Sequence, residues 1–261
     1  FQMLSSGAYA LTLFDAGDSL VENNQVRIGA TTGGIHDKDN SQGNTYRENY
    51  IAFSAADANE NGIVISAQAN STDVHIHHNL LINSGIRLGL QCFQESCYMR
   101  NHDVHHNTIA GAGLTFGWGV FNPTSFGTRF SNNIVNSGSV APYAWHSCLA
   151  TVPAAFDTQL EIGANLIETS SSSALRDTEC SGGPMNMNWS TWRNPHGMDT
   201  AASGSAVTST SALAGSGPTL GLPASDARRP QRGHLYLPAT IVVDTIFADG
   251  FDLGDTANAR H

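Results

Sequence analysis

One six-residue pattern returns along the first two thirds of the chain: an apolar residue, any two residues, asparagine, any one residue, and a second apolar residue. It reads VENNQV ending at Val26, YRENYI at Ile51, IHHNLL at Leu81, VHHNTI at Ile109, FSNNIV at Val135 and IGANLI at Ile167. Its anchors Asn24, Asn49, Asn79, Asn107, Asn133 and Asn165 lie 25, 30, 28, 26 and 32 residues apart, with Asn23 an equal choice for the first copy. A second element, Gly–apolar–any–apolar, follows most of these, from Gly34, Gly62, Gly85 and Gly113. Each period therefore holds short alternating β-runs with one face in and one face out. Self-similarity at such a period means units that stack, each strand pairing with its copy one coil away at ~4.8 Å. Asparagine suits the corner of such a coil. It tolerates the left-handed backbone of a sharp bend, and its amide can bond to the coils above and below.

Composition agrees with an all-β chain. Charged residues make up 13% of the 261 and glycines number 26, a balance suited to many turns rather than to helical bundles. The formal net charge of −10 repels polyanions at long range, which argues against nucleic acid as a partner. No run approaches the roughly 18 apolar residues of a membrane span. The four cysteines, Cys92, Cys97, Cys148 and Cys180, form an even set without paired C-x2-C units, so disulfides in an oxidising compartment are expected rather than zinc. Three pairings are possible; Cys92–Cys97 in a local loop and Cys148–Cys180 are the expectation. The chain opens at Phe1 with no visible signal peptide, as a mature or truncated form would.

The asparagine pattern resembles the right-handed parallel β-helix repeat family, the scaffold of pectate, alginate and chondroitin lyases and of many secreted bacterial proteins. The resemblance implies a right-handed parallel β-helix, a solenoid, over residues 1–168. It is specific for fold and not for function, because this scaffold hosts lyases, hydrolases, epimerases and adhesins. Residues 169–238 lose the asparagine repeat and become low-complexity, and Trp189 and Trp192 suggest a region that caps or flanks the open solenoid end. Residues 239–261 resemble a short acidic tail of secreted bacterial proteins. Asp249, Asp252 and Asp255 there offer oxygens to calcium, the one ion considered as a cofactor, but their spacing fails the EF-hand pattern. A solvated tail is the expectation.

Candidate chemistry gathers around the single lysine. Aligning the Gly–apolar elements puts His36, Val64, Arg87 and Thr115 in one column, and Lys38, Ser66, Gly89 and Gly117 in another. With Ile35, Ile63, Ile86 and Leu114 inward, His36, Lys38 and Arg87 point outward from one sheet, Arg87 roughly 10 Å and two coils from His36. Such a set suits β-elimination on a uronic-acid polymer: a cation neutralises the substrate carboxylate, and a desolvated lysine takes the proton on the adjacent carbon. The segment IHDKDNSQGNTYREN looks like the one that carries the base in β-helix lyases of the alginate and chondroitin type, with Lys38 in the lysine position. In those lyases an arginine follows in the next coil; here that coil reads GIVISAQ, and Arg87 comes one coil later. The alternative for Lys38 is a solvated turn, paired to Asp37 and Asp39.

Trp118, Tyr143 and Trp145, with Phe116 and Phe121 nearby, are the candidates for stacking against sugar faces, and loop packing is their alternative. The histidines of VHIHH and DVHHN fall in register, His77 over His105 and His78 over His106. A transition metal is one reading; a polar outward ladder is preferred, since no carboxylate sits at ligand spacing, and no metal site is assigned. The NTD, DD and GHG segments of polygalacturonases are absent, and paired acid and base carboxylates are not evident, which disfavours a standard hydrolase. The RRPQR segment at Arg228–Arg232 is read as a basic loop. The leading expectation is a secreted, monomeric β-helix, extracellular or periplasmic, acting on an acidic polysaccharide by lyase-type β-elimination. The alternative is a non-catalytic carbohydrate-binding or cell-surface β-helix. An open cleft shared by His36, Lys38, Arg87 and Trp118 favours the first; a covered face favours the second.

Overall fold

The computed structural model describes residues 2–3, 9–28, 33–54, 61–66, 70–90, 97–146, 150–163, 165–179 and 182–199. The chain is a parallel β-solenoid of about five turns. One face is an eight-stranded sheet running Tyr9–Phe14, Gly33–Lys38, Ile63–Ser66, Ile86–Leu90, Leu114–Gly117, Tyr143–His146, Ser173–Asp177 and Met187–Asn188 in spatial order. All its pairings are parallel except the last. A seven-stranded sheet from Gln2–Met3 to Leu166–Thr169 forms the second long face, and a six-stranded sheet from Leu20–Glu22 to Leu160–Gly163 a third. The last parallel strand, Ser173–Asp177, lies past Glu168, so the coiling continues beyond the point where the asparagine repeat ends.

The interior is built of columns. Leu11, Ile35, Ile63, Ile86, Leu114, Tyr143 and Leu175 follow one another in strict register, and Leu13, Asp37, Ile65, Leu88, Phe116, Trp145 and Asp177 form the column two residues on. Asp37 and Asp177 apart, each residue covers the apolar surface of the one below, which is where most of the stabilisation of a solenoid arises.

The asparagines form one continuous ladder. In every step from Asn24 to Asn165, the side-chain oxygen of one asparagine accepts from both the backbone N–H and the side-chain amide of the asparagine one coil earlier, at 2.9–3.1 Å. From Asn49 on, the amide also donates to a backbone carbonyl of the preceding coil, as Asn107 does to Ile76 O at 2.8 Å. The ladder ends on a different residue: Asn165 donates to Asp199 Oδ1 at 3.1 Å, and Asp199 Oδ2 accepts from Tyr143 Oη at 2.8 Å and from Trp192 Nε1 at 3.1 Å. The segment after Gly182 thus contributes the last rung, with the Trp192 ring stacked 4.9 Å from that of Tyr143.

The left-handed backbone belongs not to the ladder asparagines but to the residues just before them: Asn23, Glu48, His78, His106 and Asn132, with φ of 57°, 55°, 58°, 55° and 56°. The bend must come first, because the asparagine side chain has to reach the next coil and its own carbonyl partner at once. Among the described residues no cysteine is free. Cys92, Cys148 and Cys180 lie outside the described residues, as do residues 200–238 of the low-complexity region and the tail at 239–261, so the expected pairings and the calcium ligands stay expectations.

Candidate functional site

The eight-stranded sheet carries the lysine. Its register places His36 beside Val64, Val64 beside Arg87 and Arg87 beside Thr115, the column read from the glycines. The neighbouring column departs at Gly89, whose φ of 74° makes a bulge that sets Ser66 opposite Leu90.

Alternation along Gly33–Lys38 sends Ile35 and Asp37 inward and His36 and Lys38 outward. Asp37 is fully buried, and its carboxylate accepts from Tyr46 Oη at 2.6 Å, from Asn44 Nδ2 at 3.0 Å and from Ser41 Oγ. It is committed to the interior and does not pair with Lys38; burial, with the Asp37 charge, pushes the Tyr46 hydroxyl well above its ordinary value. Lys38 is half-buried, with no ion pair among the described residues, its Nζ 5.7 Å from the centre of the Phe14 ring.

His36 and Arg87 are outward in register but not open. They keep 8% and 9% exposure. The His36 ring lies 4.3 Å from that of Tyr9, and its Nε2 is 2.6 Å from Ser66 Oγ. Burial, with the Lys38 charge, lowers its pKa to about 4, so it is neutral at neutral pH. Arg87 donates from Nη1 to Asn61 Oδ1 at 2.9 Å. The three expected catalytic groups therefore share one sheet face, but two of them are covered and already hydrogen-bonded.

The aromatic candidates separate. Trp118, at the start of the short 3-10 turn Trp118–Phe121, keeps 36% exposure. Tyr143 and Trp145 are fully buried, which corrects their assignment as sugar platforms: they stand one coil beyond Leu114 and Phe116 in the inward columns. Two outward side chains were given no role by sequence reasoning, Ser66, which it placed in the Lys38 column, and His146, which it did not place. Ser66 holds His36, and His146 lies 3.1 Å from Glu179 Oε1 and 3.2 Å from Thr178 Oγ1. Register was the available signal for both, since Ser66 pairs with Lys38 and His146 with Gly117.

The histidines stack as their spacing predicts. His77 and His105 have ring centres 4.9 Å apart at 6° between planes, and His78 and His106 are 5.3 Å apart at 8°.

The molecule is thus defined by its fold as a parallel β-solenoid. No family model, no curated protein and no solved structure matches the chain. No helix among the described residues is long and apolar enough to cross a membrane.

Proposed function

We propose that this is a secreted, non-catalytic β-helix of the carbohydrate-binding or cell-surface class, wound right-handed as parallel crossovers are. The observation that carries the reading is the state of the lysine face. His36 and Arg87 are buried and their polar ends are engaged by Ser66 and Asn61, so among the described residues neither is offered beside Lys38 to neutralise a uronate carboxylate. β-Elimination needs that neutralisation, because the carboxylate otherwise keeps the adjacent carbon from acidifying. The net charge of −10 also opposes the approach of an acidic polymer, as it does nucleic acid, and favours uncharged glycans. Trp118 is the exposed ring best suited to stack on a sugar face.

The test has two arms. Incubated with alginate, pectate and chondroitin sulfate, the protein is expected to release no unsaturated product. In affinity electrophoresis through neutral glycans it is expected to be retarded, and Trp118→Ala to abolish the retardation. Unsaturated product formed by the wild type and not by Lys38→Ala would overturn this reading in favour of the lyase. That second reading has one observation in its favour: Lys38 and a neutral imidazole, His36, stand two residues apart on the same outward face.

A further inference from the structure

We propose that the histidine corner is a copper-binding surface made of two stacked chelates, His77 with His78 and His105 with His106. The geometry starts from the backbone. Adjacent residues of a strand point to opposite faces, but the left-handed turn at His78 and His106 brings both side chains of each pair to the same side. As a result the two Nδ1 atoms of the first pair are 2.7 Å apart and those of the second 2.8 Å apart, with the rings nearly perpendicular at 86° and 90°. Nitrogen on nitrogen is a contact that one proton can bridge, and so can one metal ion.

The pairs are hydrogen-bonded at 2.7 and 2.8 Å, close enough that a small turn of each ring brings both nitrogens onto one ion. Among divalent ions Cu(II) heads the affinity order for nitrogen ligands. Each ring has only to turn about its soft Cβ–ring torsion to aim its lone pair at the ion. Neutral imidazole nitrogen is the commonest protein ligand for such ions.

The proton balance closes without release. In the metal-free pair one ring carries its proton on Nδ1 and donates it to the other. Binding requires both Nδ1 atoms bare, so that proton moves to Nε2 of the same ring. Among the described residues no group of three or more His, Cys, Asp or Glu is placed around one ion, so water completes each coordination sphere. Ring stacks 4.9 and 5.3 Å apart set the two ions about one coil apart. Two divalent ions at ~5 Å in water repel enough to weaken the second site on the order of a hundredfold.

The experiment is a titration of the full chain with Cu(II), followed by calorimetry and by paramagnetic resonance for nitrogen coupling. The expected result is one equivalent with two nitrogen ligands, a second equivalent bound about a hundredfold more weakly, and weaker binding of Ni(II) and Zn(II). The variant His78→Asn with His106→Asn keeps the corner, since Asn23 and Asn132 already hold the same bend at φ of 57° and 56°. It is expected to fold with the wild-type circular dichroism and to lose both equivalents, while His146→Ala with His196→Ala retains them. Three results overturn the proposal: no copper bound by the wild type, copper bound equally by the double asparagine variant, or Zn(II) preferred over Cu(II).

Discussion

Substituting Asn107 by alanine isolates what the ladder contributes. Its side chain donates to Asn133 Oδ1 at 3.0 Å, to Ile76 O at 2.8 Å and to His105 O at 3.1 Å, and accepts from Asn79 N at 3.0 Å and Asn79 Nδ2 at 2.9 Å. Alanine removes all five. Asn79 Nδ2 keeps its bonds to Tyr46 O and His77 O, and Asn133 Oδ1 keeps the Asn107 backbone N–H. One buried group loses its partner, the backbone N–H of Asn79; the Ile76 carbonyl stays in the parallel pairing of His75–His77 with Asp103–His105. A buried donor left unmade costs about 1–3 kcal/mol, so with the other bonds lost the substitution is expected to cost about 3 kcal/mol. Asn24→Ala sets the contrast. Asn24 is half-buried, and its side chain donates only to Glu22 O and Asn49 Oδ1, so its loss is expected to cost about 1 kcal/mol. Urea unfolding followed by circular dichroism measures both. Equal costs for Asn107→Ala and Asn24→Ala would refute the claim that the ladder acts through buried groups it satisfies.

Two further perturbations test the packing and the charge of the coil. His102 is fully enclosed and its Nδ1 faces Val74 N at 3.4 Å; burial lowers its pKa to about 3, so protonation favours the unfolded chain, stability is full above pH 6.5 and is lost as pH falls from there towards 3. His102→Asn, which keeps an acceptor as Asn44 does for Ser19 N, is expected to flatten the acid side of a melting-temperature profile. Gly117→Ala would place a Cβ 2.4 Å from the carbonyl oxygen of Gly89 and 2.7 Å from its carbon, both backbone, and is expected to cost about 1–3 kcal/mol in the same urea assay.

The coil length, the ladder and the register of His36, Val64, Arg87 and Thr115 were all legible, because each follows from a period and an alternation that the sequence states directly. Alternation also dictated that Asp37 follows Ile35 inward and that Trp145 follows Phe116, but the residue types pulled the other way. A charge run reads as a solvated turn, and an aromatic pair reads as a sugar platform. In this chain Asp37 is held inside by three donors, a network visible only once Ser41, Asn44 and Tyr46 are brought against it. The cover over His36 and Arg87 was not legible at all. It depends on partners such as Tyr9 and Asn61, which the repeat does not contain.

The corner separates two tasks onto neighbouring positions, and this can be measured at Glu48. The ladder position is fixed as asparagine by its hydrogen bonds, while the residue before it only has to accept a left-handed backbone. That position is held by Asn23, Glu48, His78, His106 and Asn132 in successive coils. A left-handed conformation costs an ordinary L-residue roughly 1–2 kcal/mol, and asparagine less. Glu48 is exposed at φ 55°, so its side chain gives back little of that cost. Glu48→Asn is therefore expected to stabilise the solenoid by about 1 kcal/mol and Glu48→Val to destabilise it. Thermal and urea unfolding of the two variants read this directly. A Glu48→Asn protein no more stable than wild type would mean that the bend carries no strain. The presence of histidine at the next two corners would then be a matter of backbone indifference. If the gain is found, His78 and His106 sit where asparagine is the easier residue, and their retention points to the work of the imidazoles rather than to the needs of the fold.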